Sequence, residues 1–123
     1  MADPVLRVVL FPRPTAIWGT TPVSTEPFPA KDFAQAVVVA SQGTGMGPGG
    51  SEAAVSVAIE QSGDMVNWFP IGSPLAPTAI LEATGAFDLD LEWFRATATV
   101  SGSVPGVTMW AVAALVPRVP SDS

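Results

Sequence analysis

The chain of 123 residues has the length of one domain, and 48% of its residues are apolar against 13% charged, which excludes a disordered chain. Its formal net charge of −6 excludes a basic groove of the kind that follows a nucleic-acid backbone. Cysteine and histidine are both absent, so the chain has no disulfides, no thiolate nucleophile and no imidazole for proton transfer or metal binding. We therefore predict a non-enzymatic protein without a cofactor or a metal site.

The start of the sequence shows no targeting signal. Residues 1–4 contain no basic residue, and the apolar run 5–11 is interrupted by Arg7 and stops at Pro12. The longest apolar stretch, residues 107–116, is about half as long as a membrane-spanning helix. We expect a protein that is made in the cytoplasm without a signal peptide and that contacts no membrane.

Helix-breaking residues predict the fold class. Thirteen prolines and eleven glycines divide the chain into short segments, and a proline inside a helix costs about 3 kcal/mol. The segments between them are rich in Val, Ile, Thr, Phe and Trp, which favour strands. The sequence therefore predicts an all-β fold, an antiparallel β-sandwich or a jelly-roll-like arrangement of about seven or eight strands.

Residues 1–32 differ from the rest of the chain because six prolines alternate there with apolar residues. We predict an extended, proline-rich N-terminal arm over 1–32, a β-sandwich domain over 33–118 and a polar C-terminal tail over 119–123. The first segment is too apolar to extend into water. It forms either an edge strand and a loop of its own domain or an arm that lies on a neighbouring subunit. For the second interpretation, the candidate partner-binding residues are Val5, Leu10, Trp18 and Phe28, with Trp18 as an inter-subunit anchor.

From residue 33 onward, strand patterns follow one another at short intervals. Residues 33–40 form a nearly continuous apolar run, which is typical of a strand covered on both faces. Val55, Val57 and Ile59 alternate with smaller or polar residues, which predicts a strand over 54–60 with one buried face. Further strands are predicted over 65–71, 79–83, 86–91, 93–100 and 107–116, with the last two joined as a hairpin.

A glycine-rich segment at 43–50 matches the sequence fingerprint of dinucleotide-binding loops in residue type and spacing. Gly45, Gly47 and Gly50 have the spacing G-x-G-x-x-G of dinucleotide-binding loops. That loop must open a helix whose N-terminal amides bind the pyrophosphate, whereas a strand is predicted to follow this one. We interpret the segment as a flexible connection between two strands, without a bound nucleotide.

Three carboxylates follow one another at alternate positions. Asp88, Asp90 and Glu92 lie on one face of a predicted strand, with neighbours about 6.5–7 Å apart. Carboxylate pairs at such distances serve glycoside hydrolysis or contribute to calcium sites. Strand alternation alone explains the pattern, so we interpret it as a solvated face. A hydrolase that uses Asp88 or Asp90 is kept as a remote alternative.

The remaining candidates are aromatic or basic. Exposed tryptophans stack on sugars, whereas buried ones anchor cores and interfaces. We favour the core or interface interpretation for the four tryptophans. These four are Trp18, Trp68, Trp93 and Trp110.

Arg95 stands among small residues in a predicted strand, and we expect it to pair with an acidic neighbour across the ladder.

The region from 54 to 116, about half of the chain, resembles a known hairpin unit. Residues 55–71 resemble the "strand, Ser-x-Asp-Gly-x-x-Trp, strand" hairpin of discoidin-like sandwiches and of many small tailed-phage virion proteins. The turn here reads Ser62-Gly63-Asp64, so the Asp-Gly order is not kept. Residues 93–100 are similar to the following aromatic-Arg-x-x-x-Thr strand, and an apolar strand over 108–115 closes the unit. The resemblance implies a sandwich and transfers no binding residue.

The overall profile is similar to that of capsid decoration (cement) proteins of tailed phages. The chain is small and acidic, lacks Cys and His, and combines an apolar arm with many Ala, Val, Pro and Gly residues. The resemblance implies a homo-oligomeric structural protein of the virion that decorates or stabilises the capsid. Its partners would be the major capsid protein or neighbouring virion subunits. The alternative is a discoidin-like carbohydrate-binding module that adheres to host or surface glycans.

Overall fold

A computed structural model describes residues 6–19, 21–45, 54–78, 81–101 and 106–118. These ranges contain nine strands in two antiparallel sheets that pack against each other, and no helix. The predicted all-β sandwich is therefore confirmed. In chain order the strands are β1 (Leu6–Trp18), β2 (Val23–Ser24), β3 (Phe28–Pro29), β4 (Phe33–Gly45), β5 (Ala54–Ser62), β6 (Phe69–Leu75), β7 (Ala83–Asp88), β8 (Trp93–Ser101) and β9 (Gly106–Pro117).

The two sheets divide the strands unequally. Sheet A contains β1, β9, β4 and β7 in that order. In sheet B, β8 pairs with β5 on one side and with the short strands β2 and β3 on the other, and β6 pairs with β5. Burial alternates residue by residue along β5 and β8, as it does in strands that place one face in a core.

The core lies between the inner faces of the sheets. Its largest fully buried side chains include Phe94, Ile59 and Met109. The ring of Phe28 stacks on that of Phe94 with the centroids 5.3 Å apart. Alanines occupy many of the remaining inner positions, which lets the two sheets approach closely. They are Ala36, Ala40, Ala96, Ala98, Ala111 and Ala113.

The N-terminal segment joins the sandwich of its own chain. β1 pairs with β9 from Leu6, opposite Leu115, to Trp18, opposite Gly106. The register shifts between Phe11 and Thr15, where prolines cannot donate to the ladder. Residues 6–18 are thus an edge strand, which is the first of the two interpretations. β2 and β3 likewise belong to sheet B. Exchange of β1 between copies stays a prediction, and the tail over 119–123 lies outside the described residues.

The hairpin predicted for the last two strands is wrong. β8 pairs with β5 in sheet B, whereas β9 lies between β1 and β4 in sheet A. The chain therefore crosses from one sheet to the other between them. Both strands alternate in burial in the same way, so the local pattern alone does not distinguish a hairpin from a crossover.

Several predicted strand boundaries also need correction. β4 continues to Gly45, beyond the predicted end at residue 40. β6 begins at Phe69, because residues 63–67 form a turn. One strand, β7 (Ala83–Asp88), stands where two were predicted over 79–83 and 86–91, and residues 79 and 80 lie outside the described ranges.

Candidate protein-contact surface

The outer side of sheet A is apolar at its centre. Val9, Val112 and Val39 form one row across β1, β9 and β4, and Ala114 and Val37 lie in the next row. We call these five residues the apolar face. Val9 is 58% exposed, and the other four are half-buried among their neighbours in the sheet. Every described strand belongs to one of the two sheets, so within the described ranges no strand covers this face.

The apolar face has polar margins. Arg7 lies opposite Ala114 on the β1 side, and Gln35 and Asp88 pair on the β7 side, where Gln35 Nε2 donates to Asp88 Oδ1 at 3.4 Å. Between the margins runs a groove of about 350 Å³. It is lined by Arg7, Val8, Val9, Val37, Val39, Val112, Ala113 and Ala114.

On β5 and β8, most outward residues of sheet B are polar, and its charged pair is hydrogen-bonded within the chain. Glu60 Oε1 accepts hydrogen bonds from Arg95 Nε and Thr97 Oγ1, both at 2.8 Å. Glu60 and Arg95 are directly opposite each other on β5 and β8, which confirms the predicted pairing of Arg95 with an acidic neighbour. We call the outward residues of these two strands the polar face. They are Ser56, Ala58, Glu60, Arg95, Thr97 and Thr99.

The turn between β5 and β6 is held by one carboxylate. Asp64 Oδ1 accepts from the backbone N–H groups of Val66 and Asn67 and from Ser62 Oγ, each at 2.9 Å. The bonds from Asn67, Val66 and Ser62 hold the pKa of the Asp64 carboxyl well below its usual value. Met65 has a positive φ of 62°, so a bulky residue occupies the left-handed position that favours glycine.

This geometry explains how the turn resembles the hairpin pattern. Counted from Ser62, the pattern Ser-x-Asp-Gly-x-x-Trp places its glycine at residue 65 and its tryptophan at Trp68. Only the glycine is replaced, and Met65 adopts the conformation expected of it. The turn also presents apolar side chains, since Met65, Val66 and Phe69 are 47%, 76% and 55% exposed.

The carboxylates predicted on one strand face do not share a strand. Asp88 ends β7, whereas Asp90 and Glu92 lie in the connection to β8, so the prediction of a common strand face is wrong. The backbone N–H of Asp90 donates to Gln61 Oε1 at 2.9 Å, which holds that connection against β5. Within the described ranges, no group of three or more acidic residues has the arrangement of a metal site.

The glycine pattern at 43–50 falls partly within a strand. Gly45 is the last residue of β4 and lies opposite Val107 of β9. The next described element after it is β5, which starts at Ala54. Gly47, Pro48 and the other residues over 46–53 lie outside the described ranges.

The four candidate partner-binding residues do not form the apolar face. Leu10 is 5% exposed and belongs to the core of its own chain, and Phe28 packs against that core. Trp18 ends β1 opposite Gly106, and Val5 lies outside the described residues. Leu10 lies at the register shift between Val9 and Phe11, and both Leu10 and Phe11 are buried, whereas Val9 stays on the outside.

The residues of the apolar face are not among the candidates predicted from the sequence, although one pattern indicates them. Residues 33–40 are apolar at successive positions, as expected of a strand covered on both sides. In the structure Ala36 and Val38 face the core, while Val37 and Val39 face outward. No described strand covers the outer side, so the run indicates a candidate contact surface.

Among the tryptophans whose side chains are described, none is fully exposed. Trp68, Trp93 and Trp110 are half-buried, and the guanidinium carbon of Arg95 lies 4.3 Å from the centroid of the Trp68 ring. One face of Trp68 is thus occupied by a cation–π contact. Trp110 is on the outer side of β9, opposite Ser41 and near one end of the apolar face.

No protein-family model matches this sequence, and no curated protein matches it. In the described ranges, no helix has the length and apolar character needed to cross a membrane. The functional interpretation therefore depends on the contrast between the two outer faces and on the resemblance carried by the β5–β6 hairpin.

Proposed function

We propose that this chain is a structural protein of a phage-like particle that decorates or stabilises the capsid through protein–protein contacts. The observation that carries the proposal is the contrast between the apolar face and the polar face. An antiparallel sheet with one side in water usually alternates apolar inward and polar outward residues. The strands β5 and β8 of sheet B follow this rule, whereas the central rows of β1, β9 and β4 in sheet A do not. Since one chain supplies both sheets, general composition does not explain the difference.

The size of the apolar face suits a contact between proteins. Strands are about 4.8 Å apart and alternate residues about 6.8 Å apart. The three strands and two rows of the apolar face therefore cover about 200 Å², and four strands and three rows, with the polar margins included, cover about 400 Å². Burial of apolar surface contributes about 2.5 kcal/mol per 100 Å² before ordering costs. A contact of this size adds to the stability of a lattice in which it is repeated many times.

The β5–β6 turn is consistent with the hairpin resemblance, which discoidin-like sandwiches and small tailed-phage virion proteins share. Ser62 and Asp64 form the hydrogen-bonded turn that their pattern implies, and Met65 takes the conformation of the missing glycine. The glycan-binding alternative stays a prediction. Because Trp68, Trp93 and Trp110 are half-buried, the described tryptophans do not favour it over the structural role.

The direct test uses the particles produced by the genome that encodes this chain. Gradient-purified particles, analysed by quantitative mass spectrometry, should contain the chain at a fixed ratio to the major capsid protein. Particles made without the chain should release their nucleic acid at a lower temperature. If the chain is absent from the purified particles, the proposed function is wrong.

A matched pair of variants tests the role of the apolar face in the particle. Ala114 and Ala58 are half-buried alanines at outward positions of β9 and β5. Ala114→Glu places a carboxylate on the apolar face, and Ala58→Glu places the same charge on the polar face. Particles with Ala114→Glu should lose most of the chain, whereas those with Ala58→Glu should retain it. Equal incorporation of the two variants would contradict a role for this face.

A further inference from the structure

We infer that the apolar face binds a second copy of this chain, so that two sandwiches pack through their A sheets around a twofold axis. This inference goes beyond the proposed function, because it names the occupant of the face. It does not require a particle, since self-association is measured with the purified chain alone.

The shape of the apolar face is that of an inner sheet face. Its members are valines and an alanine, the residue types found on the inner side of the same sheet at Val38, Ala36 and Ala113. Short side chains let two sheets pack face to face about 10 Å apart. The polar face offers no such match within the described chain. The complementary surface is therefore the apolar face of another copy, which makes the contact isologous.

The charges at the margins are self-complementary. Arg7 lies on the β1 side of the apolar face and Asp88 on the β7 side, one row further along the strands. A twofold axis in the plane of contact, running along the strands, places β1 of each copy over β7 of the other. Arg7 is then offset from Asp88 of the other copy by one row, about 7 Å, along the strands and by the sheet spacing of about 10 Å, so their backbones lie about 12 Å apart. The side chains of Arg7 and Asp88 extend toward each other and together span this distance, so two equivalent ion pairs form at opposite margins.

The area of the face sets the strength of the dimer. The apolar face and its polar margins together contribute about 400 Å² from each copy, so the contact buries about 800 Å² in total. Stable interfaces bury about 1,200 Å² or more, and smaller ones belong to weak, reversible associations. We therefore expect a dissociation constant in the micromolar range or weaker, on the order of 10–500 µM. Tethering many copies to one shell would raise their effective concentration above this value.

Sedimentation velocity of the purified chain from about 5 µM to about 500 µM tests the inference. The wild type should shift from monomer to dimer, and Ala58→Glu should behave in the same way. Ala114→Glu should remain monomeric, with a dissociation constant at least about tenfold higher. Val9→Glu is a second variant for the case that Ala114→Glu fails to fold, since Val9 is 58% exposed on an edge strand.

A charge reversal tests the orientation of the two copies. Arg7→Asp should weaken the dimer about tenfold, because each margin would then bring two carboxylates together. The double variant Arg7→Asp/Asp88→Arg should restore the wild-type dissociation constant.

Four outcomes would overturn the inference. They are a wild type that stays monomeric at the highest concentration, a trimer or larger ring, equal dissociation of the Ala114→Glu and Ala58→Glu variants, and a double variant no stronger than Arg7→Asp alone. A monomeric wild type whose Ala114→Glu variant is nevertheless lost from particles would overturn the dimer and leave the proposed function intact.

Discussion

Because Met65 has a left-handed backbone conformation, glycine should be more stabilising than alanine at position 65, which is the reverse of the usual order. Residue 65 has φ 62°, which costs an L-residue about 1–2 kcal/mol relative to glycine. Glycine in turn lowers the free energy of unfolding by about 0.4–1 kcal/mol, because it gives the unfolded chain greater conformational freedom. Met65→Gly should therefore be more stable than Met65→Ala by about 0.5–1 kcal/mol. Alanine is the correct reference, because both variants remove the same 47%-exposed side chain.

Thermal and urea unfolding of the two variants measure this difference. An unfolding entropy of about 2.1 cal/mol/K per residue gives about 260 cal/mol/K for this chain. A difference of 1 kcal/mol then corresponds to about 4 °C in Tm. Gly63→Ala is the control, because Gly63 has no positive φ and nothing lies within 4 Å of an added Cβ. It should be as stable as the wild type or slightly more so. A Met65→Ala variant as stable as Met65→Gly would refute the reasoning.

Three further predictions concern the turn, the polar face and the core. Asp64→Asn should destabilise the fold near neutral pH. The difference in unfolding free energy between this variant and the wild type should shrink as the pH falls below about 4, because the lowered pKa of Asp64 stabilises the folded state only while the carboxyl is ionised. A difference that is independent of pH in urea titrations would contradict this. Glu60→Gln should lower the free energy of unfolding in urea by about 1–2 kcal/mol, which is more than the loss of an exposed ion pair costs, because the side chains of Arg95 and Glu60 are only 26% and 20% exposed. Removal of Arg95 as well should recover part of this loss. Gly85→Ala should lower the free energy of unfolding by about 1–3 kcal/mol, because the added Cβ would lie 2.9 Å from Leu75 Cδ2. A decrease in Tm no larger than that of Gly63→Ala would show that the neighbouring core side chains move to accommodate the methyl group.

Local patterns in the sequence were sufficient for most of the strands. The alternation of Val55, Val57 and Ile59 predicts β5, because the two-residue period of a strand depends only on neighbours along the chain. The pairing of Arg95 with an acidic residue was predicted for a similar reason, since a lone charge among small residues in a strand needs a nearby partner. The hairpin at Ser62 was recognised from its spacing, although the role of Met65 became visible only from its backbone angle.

These local patterns do not predict which strands pair when they lie far apart in the sequence. β8 and β9 have the same alternation, and only the packing of the sandwich places them in different sheets. Leu10 was predicted to bind a partner because it is apolar and lies among prolines. The register of β1 on β9 decides that Leu10 enters the core and that Val9 remains outside.

The sequence by itself determined an all-β chain, and it marked residues 33–40 as an apolar run typical of a strand covered on both faces. The tertiary structure decided where that second apolar side lies. Val9, Val39 and Val112 are far apart along the chain and become neighbours only when β1, β9 and β4 pair. Each valine alone is an ordinary strand residue. Backbone hydrogen bonds between distant segments assemble the three into one surface, because pairing in antiparallel sheets is set by the fold and not by nearness in sequence.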